Sequence, residues 1–267
     1  MIRCLRLVTG YLKYFVKSKT KYKIHSPFVY SLITEVFEKK AETPEILAIR
    51  DIYARLRRSR RVLEVTDFGA GKGKKSYILR FRSVGQIIRK SSVTPEPGGL
   101  LYKLAARFQP AVILELGTSL GISTLYLSKG APGARVITIE GCSTTSEIAR
   151  ENFSEAGISN VEMHTGRFED ILPGTLNDCG KVDFVFIDGH HEYGPTRMYV
   201  EMILGKARDE TVIVIDDIHW SKGMEKAWEE LCNFPAVTVS IDIYRFGILF
   251  LRKGLSKQHF IIRYRKP

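Results

Sequence analysis

One stretch, VILELGTSLGIS (residues 112–123), restricts the fold more than any other part of this 267-residue chain. The continuous apolar run AVILEL fits a strand buried on both faces, as parallel strands are. It leads into Gly117 and Gly121, and Ser123 opens a helix. The next strand, RVITIE, ends in Glu140, 25 residues after Glu115. In a doubly wound sheet, ligands lie at the carboxyl ends of the strands. A glycine turn there lets backbone N–H groups approach the ligand, and the helix N-terminus that follows favours an anionic group. An acid closing the second strand suits a pair of ribose hydroxyls. The spacing therefore predicts a binding loop at 117–123, with Glu140 as its distal acid.

A second glycine stretch, VTDFGAGKGKKS (residues 65–76), competes for that role. It lacks the context. No strand ending in an acid follows it, and the chain runs through a basic helical stretch into SSVTPEPGGLL. It also fails the phosphate-loop spacing, because no glycine stands five residues before either Gly-Lys pair. Its expected role is a basic turn near a pocket mouth, with a purely structural turn equally open.

From about Ala111 onward strands and helices alternate. TTSEIARENFSEAG reads as an amphipathic helix closed by Gly157, VEMHTG as a short strand, and KVDFVFIDG and ETVIVIDD as buried strands around the helical PTRMYVEMILGKA. SKGMEKAWEELCNF is a further helix. AVTVSIDIYRFGILFLRKG reads as two strands around Arg245–Gly247, a hairpin. The expectation is an α/β, doubly wound sheet with a C-terminal antiparallel hairpin. Residues 1–92 read differently, as a basic and mainly helical N-terminal cap segment on a domain spanning 93–267. Leu5, Val8, Leu12, Phe15 and Val16 share one helical face. Ser26-Pro27 caps a second helix and PEILAIRDIYARLRRS is a third. SYILRFRSVGQIIRKSS is expected as a fourth.

Charge follows the same division. The formal net charge is +12. Residues 1–110 carry 24 Lys and Arg against 8 Asp and Glu, whereas residues 111–267 carry 17 against 21. A basic segment on a slightly acidic remainder admits an anionic partner or a solvated basic face. No apolar run approaches the ~20 residues that span a bilayer, and the N-terminus lacks a clean signal-peptide core. Cys4, Cys142, Cys179 and Cys232 are scattered without metal-ligand spacing, as free thiols of a cytoplasmic protein would be.

Five segments, VTPEPGGLL, ILELGTSLGIS, VITIEG, FIDGHHEY and VIDDIHW, carry a resemblance over residues 93–252, about 60% of the chain. That region resembles a class I S-adenosylmethionine-dependent methyltransferase, most closely the metal-dependent catechol and caffeoyl-CoA O-methyltransferase group, which implies a Rossmann-like sheet. By this resemblance Glu115, Gly117, Thr118, Ser119, Gly121 and Asp188 would belong to the cofactor site, with the glycine turn lining the methionine part. Ser123 would bond the cofactor carboxylate, Glu140 would take both ribose hydroxyls, and Phe168 and Glu169 would lie nearest the adenine. Asp188, Asp216 and Asp217 would end neighbouring strands and hold a divalent cation such as Mg²⁺ through oxygen ligands. Asp217 departs from the group's Asp-Asn pattern, which leaves the choice of metal open. His191 stands where the catechol-type enzymes carry a lysine that helps deprotonate the acceptor, and a histidine suits that work near neutral pH. Asp188 and His191 are thus the expected catalytic pair, with His190 and His219 as alternatives.

Methyl transfer needs an aligned acceptor made more nucleophilic. The first expectation is O-methylation of a small hydroxylated acceptor, with residues 1–92 covering the acceptor side. A second keeps the chemistry but takes RNA or a nucleotide-linked acceptor through the basic segment, although no RNA-binding signature is present. A third is a non-catalytic membrane-surface or partner-binding protein with this fold. The sequence leaves a homodimer open.

Overall fold

The computed structural model describes residues 2–40, 42–68 and 77–264. In chain order the elements are α1 (Ile2–Lys17), α2 (Pro27–Leu32, continued by a π turn over Ile33–Phe37), α3 (Pro44–Arg58), β1 (Val62–Asp67), β2 (Ile78–Ser83), α4 (Val84–Ser91) and α5 (Pro95–Phe108). There follow β3 (Val112–Leu116), α6 (Ile122–Gly130), β4 (Arg135–Glu140), α7 (Ser143–Glu155), β5 (Val161–Thr165), α8 (Phe168–Asp178) and β6 (Val182–Ile187). The chain continues with α9 (Tyr193–Leu204), β7 (Ala207–Ile215), α10 (Lys222–Cys232), β8 (Val239–Asp242), β9 (Gly247–Phe250) and β10 (Gln258–Ile261). None of the described helices is long and apolar enough to cross a membrane.

These elements form two compact units, Lys40–Cys179 and a second made of Met1–Lys39 with Gly180–Pro267. The first unit holds β3, β4 and β5 in parallel register, Leu116 opposite Ile139 and Glu140 opposite Thr165. Ile113, Leu114 and Leu116 are fully buried, as the unbroken apolar run requires. Helix α6 is buried almost all round rather than along one stripe, because it packs against both α3 and α5. Gly98 of α5 lies against the Tyr126 ring of α6, where any Cβ would collide.

In the second unit β6 and β7 run parallel, and β7 then pairs antiparallel with β9. Strands β8 and β9 form the expected antiparallel hairpin. An unforeseen strand, β10, adds in parallel to β8. Helix α1 belongs to this unit. Its Tyr14 hydroxyl donates to the Ile262 carbonyl at 2.5 Å, and the Lys19 amide donates to the Ile261 carbonyl at 2.8 Å. Phe28 of α2 meets Phe250 edge-on, with ring centroids 5.0 Å apart.

Of the segment 1–92, residues 1–39 fall in the second unit and 40–92 in the first, and part of it is a hairpin. Residues 78–83 were expected to be helical, but they alternate Leu79 and Phe81 with Arg80 and Arg82, and β2 pairs antiparallel with β1 from Val62–Ser83 to Asp67–Ile78. The helix starts later, at a capping box in which Ser83 accepts from the Gln86 amide and Gln86 accepts from the Ser83 amide. The glycine-lysine stretch 69–76 lies outside the described residues, so the role expected of it does too.

Candidate functional site

In the first unit the glycine turn after β3 has the geometry its residues suggest. Gly117 has φ 105° and Gly121 φ 83°, a region that only glycine enters without strain. A Cβ at Gly121 would also stand 2.5 Å from the Phe153 ring. Ser119 takes φ 49° between them. The Gly121 amide donates to the Thr118 carbonyl at 2.8 Å, closing the turn at the head of α6. Ser123 is buried in the first turn of that helix.

Two acids flank this turn, and they do different things. Glu115 is fully buried, and its Oε2 accepts from the hydroxyls of Thr124 and Thr138. Its Oε1 accepts no hydrogen bond. Burial raises the Glu115 pKa, with neighbouring hydroxyls opposing the shift. Glu140 ends β4 half-buried. Its Oε2 accepts from the Ser119 amide at 2.7 Å and its Oε1 from the Cys142 amide at 2.9 Å. Burial raises its pKa too, against the Cys142 and Ser119 amides. Each carboxylate oxygen has two lone-pair sites, so the amides fix the carboxylate while leaving an acceptor site on each oxygen. An orphaned buried oxygen and positive-φ glycines at the head of a helix are features expected around a polar ligand that approaches backbone. The residues at 115–123 and Glu140 fit the expected cofactor.

Phe168 and Glu169 open α8, both partly exposed, and Glu169 pairs with Arg167 at 3.6 Å. Sequence reasoning missed Phe68. Its ring faces Gly141, where a Cβ would stand 2.8 Å from it, and the Arg167 guanidinium lies 5.8 Å from its centroid. The β1–β2 hairpin is fixed here by the Thr144 hydroxyl, which donates to the Glu64 carbonyl at 2.7 Å. The hairpin thus packs beside the Glu140 end of the turn.

In the second unit a cluster of acids and histidines follows β6 and β7. Asp188 and His191 stand 3.5 Å apart. Burial and the Asp216 charge push the Asp188 carboxyl up to about 7, against His191 and Arg245. Burial works against a charged His191, but the hydrogen bond and charge of Asp188 outweigh it, and the net shift is upward. His190, with φ 53°, bonds the Tyr199 hydroxyl through Nδ1 at 2.8 Å. His219 pairs with buried Asp242 at 2.9 Å and stacks on Tyr244, centroids 5.1 Å apart. Trp220 is half exposed, with its ring 6.4 Å from His191.

Asp216 was expected to bind a cation with Asp188 and Asp217. It is completely buried, and Arg245 takes both its oxygens, Nε to Oδ1 and Nη2 to Oδ2, each at 2.9 Å. The Asp217 amide donates to Oδ1 as well, at 2.8 Å. Oδ1 thus has both acceptor sites taken, and a Mg²⁺ ion at Oδ2 would stand beside the guanidinium charge, against the near-octahedral oxygen shell it needs. Among the described residues no group of three or more His, Cys, Asp or Glu side chains is arranged to hold a metal ion. The three aspartates in this arrangement do not fit a divalent cation, because a guanidinium already occupies the central one. Arg245 was missed in the sequence because it lies 29 positions from Asp216. Its proximity comes from the β7–β9 register, Ile215 opposite Gly247.

Comparison with known proteins gives the likenesses of the chain. A family model described as a methyltransferase domain matches residues 114–218. A catechol O-methyltransferase of Niastella koreensis is 36% identical over 130 residues, 48% of this chain and 58% of that protein. The chain thus spans little more than half the length of that curated relative. The crystal structure of the O-methyltransferase TomG from Streptomyces achromogenes, in complex with SAM, is 31% identical, covers 61% of this chain and 82% of its own, and superposes with a TM-score of 0.54. An O-methyltransferase from Bacillus cereus in complex with SAH, 22% identical, covers 85% of this chain and 97% of its own at a TM-score of 0.56, a likeness of fold, Rossmann-like α/β.

Proposed function

From the premise that this chain belongs to the S-adenosylmethionine-dependent O-methyltransferases of the catechol and caffeoyl-CoA type, we propose that it methylates a hydroxyl of a small acceptor. When bound, S-adenosylmethionine supplies a methyl group already activated on a sulfonium. The chain's own residues do the rest. The 117–123 turn offers backbone amides and the head of α6 to the methionine end. Glu140, fixed by the Ser119 and Cys142 amides, holds the ribose through its remaining lone pairs. Glu115 keeps one buried oxygen for a donor. His191 in its neutral form takes the acceptor's hydroxyl proton, and Asp188 strengthens it as a base and then stabilises the imidazolium. No step is assigned to a metal ion.

The observation that carries the reading is Glu140, an acid locked by the turn it closes. Calorimetry on Glu140→Ala is expected to show S-adenosylmethionine binding weakened by roughly 2–3 kcal/mol, the scale for lost charge-assisted hydrogen bonds. Affinity equal to wild type would remove this assignment. The small hydroxylated acceptor is supported by the relative named for catechol. No described feature favours RNA or a non-catalytic role. Cytoplasmic placement is part of the same proposal.

A further inference from the structure

A carboxylate as buried as Asp216 has to be matched by charge and hydrogen bonds, or folding bears the full cost of desolvating it. Both of its oxygens are bonded to Arg245 at 2.9 Å. This is the fork-to-fork arrangement in which a planar guanidinium binds a carboxylate most specifically. The field of the guanidinium also reaches Asp217 and Asp188.

Arg245 is held from its backbone as well as from its head. It sits in the tight connection between β8 and β9. Asp242 accepts from the Tyr244 amide at 2.7 Å through Oδ1 and pairs with His219 through Oδ2. Tyr244 takes φ 74° and lies against His219, and the Arg245 amide donates to the Ile243 carbonyl at 3.0 Å. Beyond the turn, Gly247 is pressed on the Trp228 ring, and Phe246 is buried against Phe186. A surface arginine has none of these constraints. This one is aimed by a locked turn at one buried acid.

We propose that Arg245 is the built-in cation of this site: its guanidinium takes the place at Asp216 where a divalent ion would bind, so the chain works without a bound metal. The statement about catalysis rests on the methyltransferase reading above, whereas the statement about metal exclusion does not. A guanidinium neutralises and orients, but it is no Lewis acid and cannot draw an acceptor oxygen into a coordination shell. Deprotonation is then left to His191. Arg245 is on this view a positioning residue, setting the charge around Asp188 and Asp216 without reacting.

The test is a Mn²⁺ titration of the full chain followed by electron paramagnetic resonance, with Mg²⁺ calorimetry in parallel, each with and without S-adenosylhomocysteine. Wild type is expected to show no saturable site tighter than roughly 1 mM, weaker than dedicated oxygen-ligand sites. Arg245→Ala, by uncovering Asp216, is expected to bind Mn²⁺ at least about tenfold more tightly than wild type. Arg245→Lys, which keeps a cation at the position, should stay close to wild type. A merely structural arginine would give no gain of metal binding in the alanine variant. A stoichiometric micromolar Mn²⁺ site in wild type that disappears in Asp216→Asn would overturn the proposal, and so would an Arg245→Ala protein that folds and gains nothing. Should Arg245→Ala fail to fold, the wild-type titration decides alone. S-adenosylhomocysteine affinity in the same samples keeps the two readings apart: its absence in wild type would sink the methyltransferase reading and leave the metal result standing.

Discussion

Gly121 carries two independent constraints, a φ of 83° and a Phe153 ring in the way of any Cβ. Gly121→Ala is expected to lower stability by about 1–3 kcal/mol, the usual cost of a side chain held in a left-handed or crowded position, and to weaken S-adenosylmethionine binding; thermal melts and calorimetry read the two effects separately. The His219–Asp242 pair gives a pH-dependent contribution. Burial disfavours the charged imidazole, but Asp242 outweighs it and the native pKa lies above 6.5. Below pH 6.5 the histidine is protonated in native and unfolded chains alike and the pair contributes fully. As pH rises through the native pKa the proton is lost and the contribution goes with it. His219→Gln should therefore cost roughly 1.5–3 kcal/mol in urea unfolding at pH 6, and clearly less at pH 9; an equal cost at both would show that the pair is not charged. Among single residues, the turn glycines and Glu140 were legible because strand, turn and acid are close in sequence. Arg245 and Phe68 were not, because each meets its partner only through a strand register or a hairpin that local patterns do not encode.

At the scale of elements, what could be read depended on period. The buried strands β3, β4, β6 and β7 announce themselves as apolar runs, and α3 and α10 as stripes. Strand β2 was mistaken for helix because Arg80 and Arg82 interrupt its apolar residues and a true helix follows at once; only the alternation, and Ser83 as a cap, mark the change. Helix α8 was given no secondary structure from the sequence; Pro173 lies inside it, and proline argues against a helix interior. Strand β10 is short and half exposed, too weak a pattern to stand alone. Removing the cap with Ser83→Ala should destabilise by about 1 kcal/mol, measured by denaturant midpoint. Tyr14→Phe should cost more, about 1–3 kcal/mol, because it leaves the Ile262 carbonyl without its donor in a buried place.

For the molecule as a whole, the telling fact is that one unit is discontinuous: Met1–Lys39 packs with Gly180–Pro267. Deleting residues 1–39 should therefore loosen β8, β9 and β10, seen as faster hydrogen exchange over 239–262, with the amides of β3 to β5 changing far less. Uniform loosening of both groups would contradict this division. The same feature has a meaning in time. A ribosome makes 1–39 before the 140 residues of 40–179, and its packing partners only after them. At ordinary synthesis speeds that interval lasts roughly 7–28 s. Until it ends, Val29, Leu32, Val36 and Phe37, all buried in the finished protein, have nothing to dock against, and the amino-terminal helices travel as nascent chain with a bare apolar stripe, a natural client for a chaperone stationed at the exit tunnel.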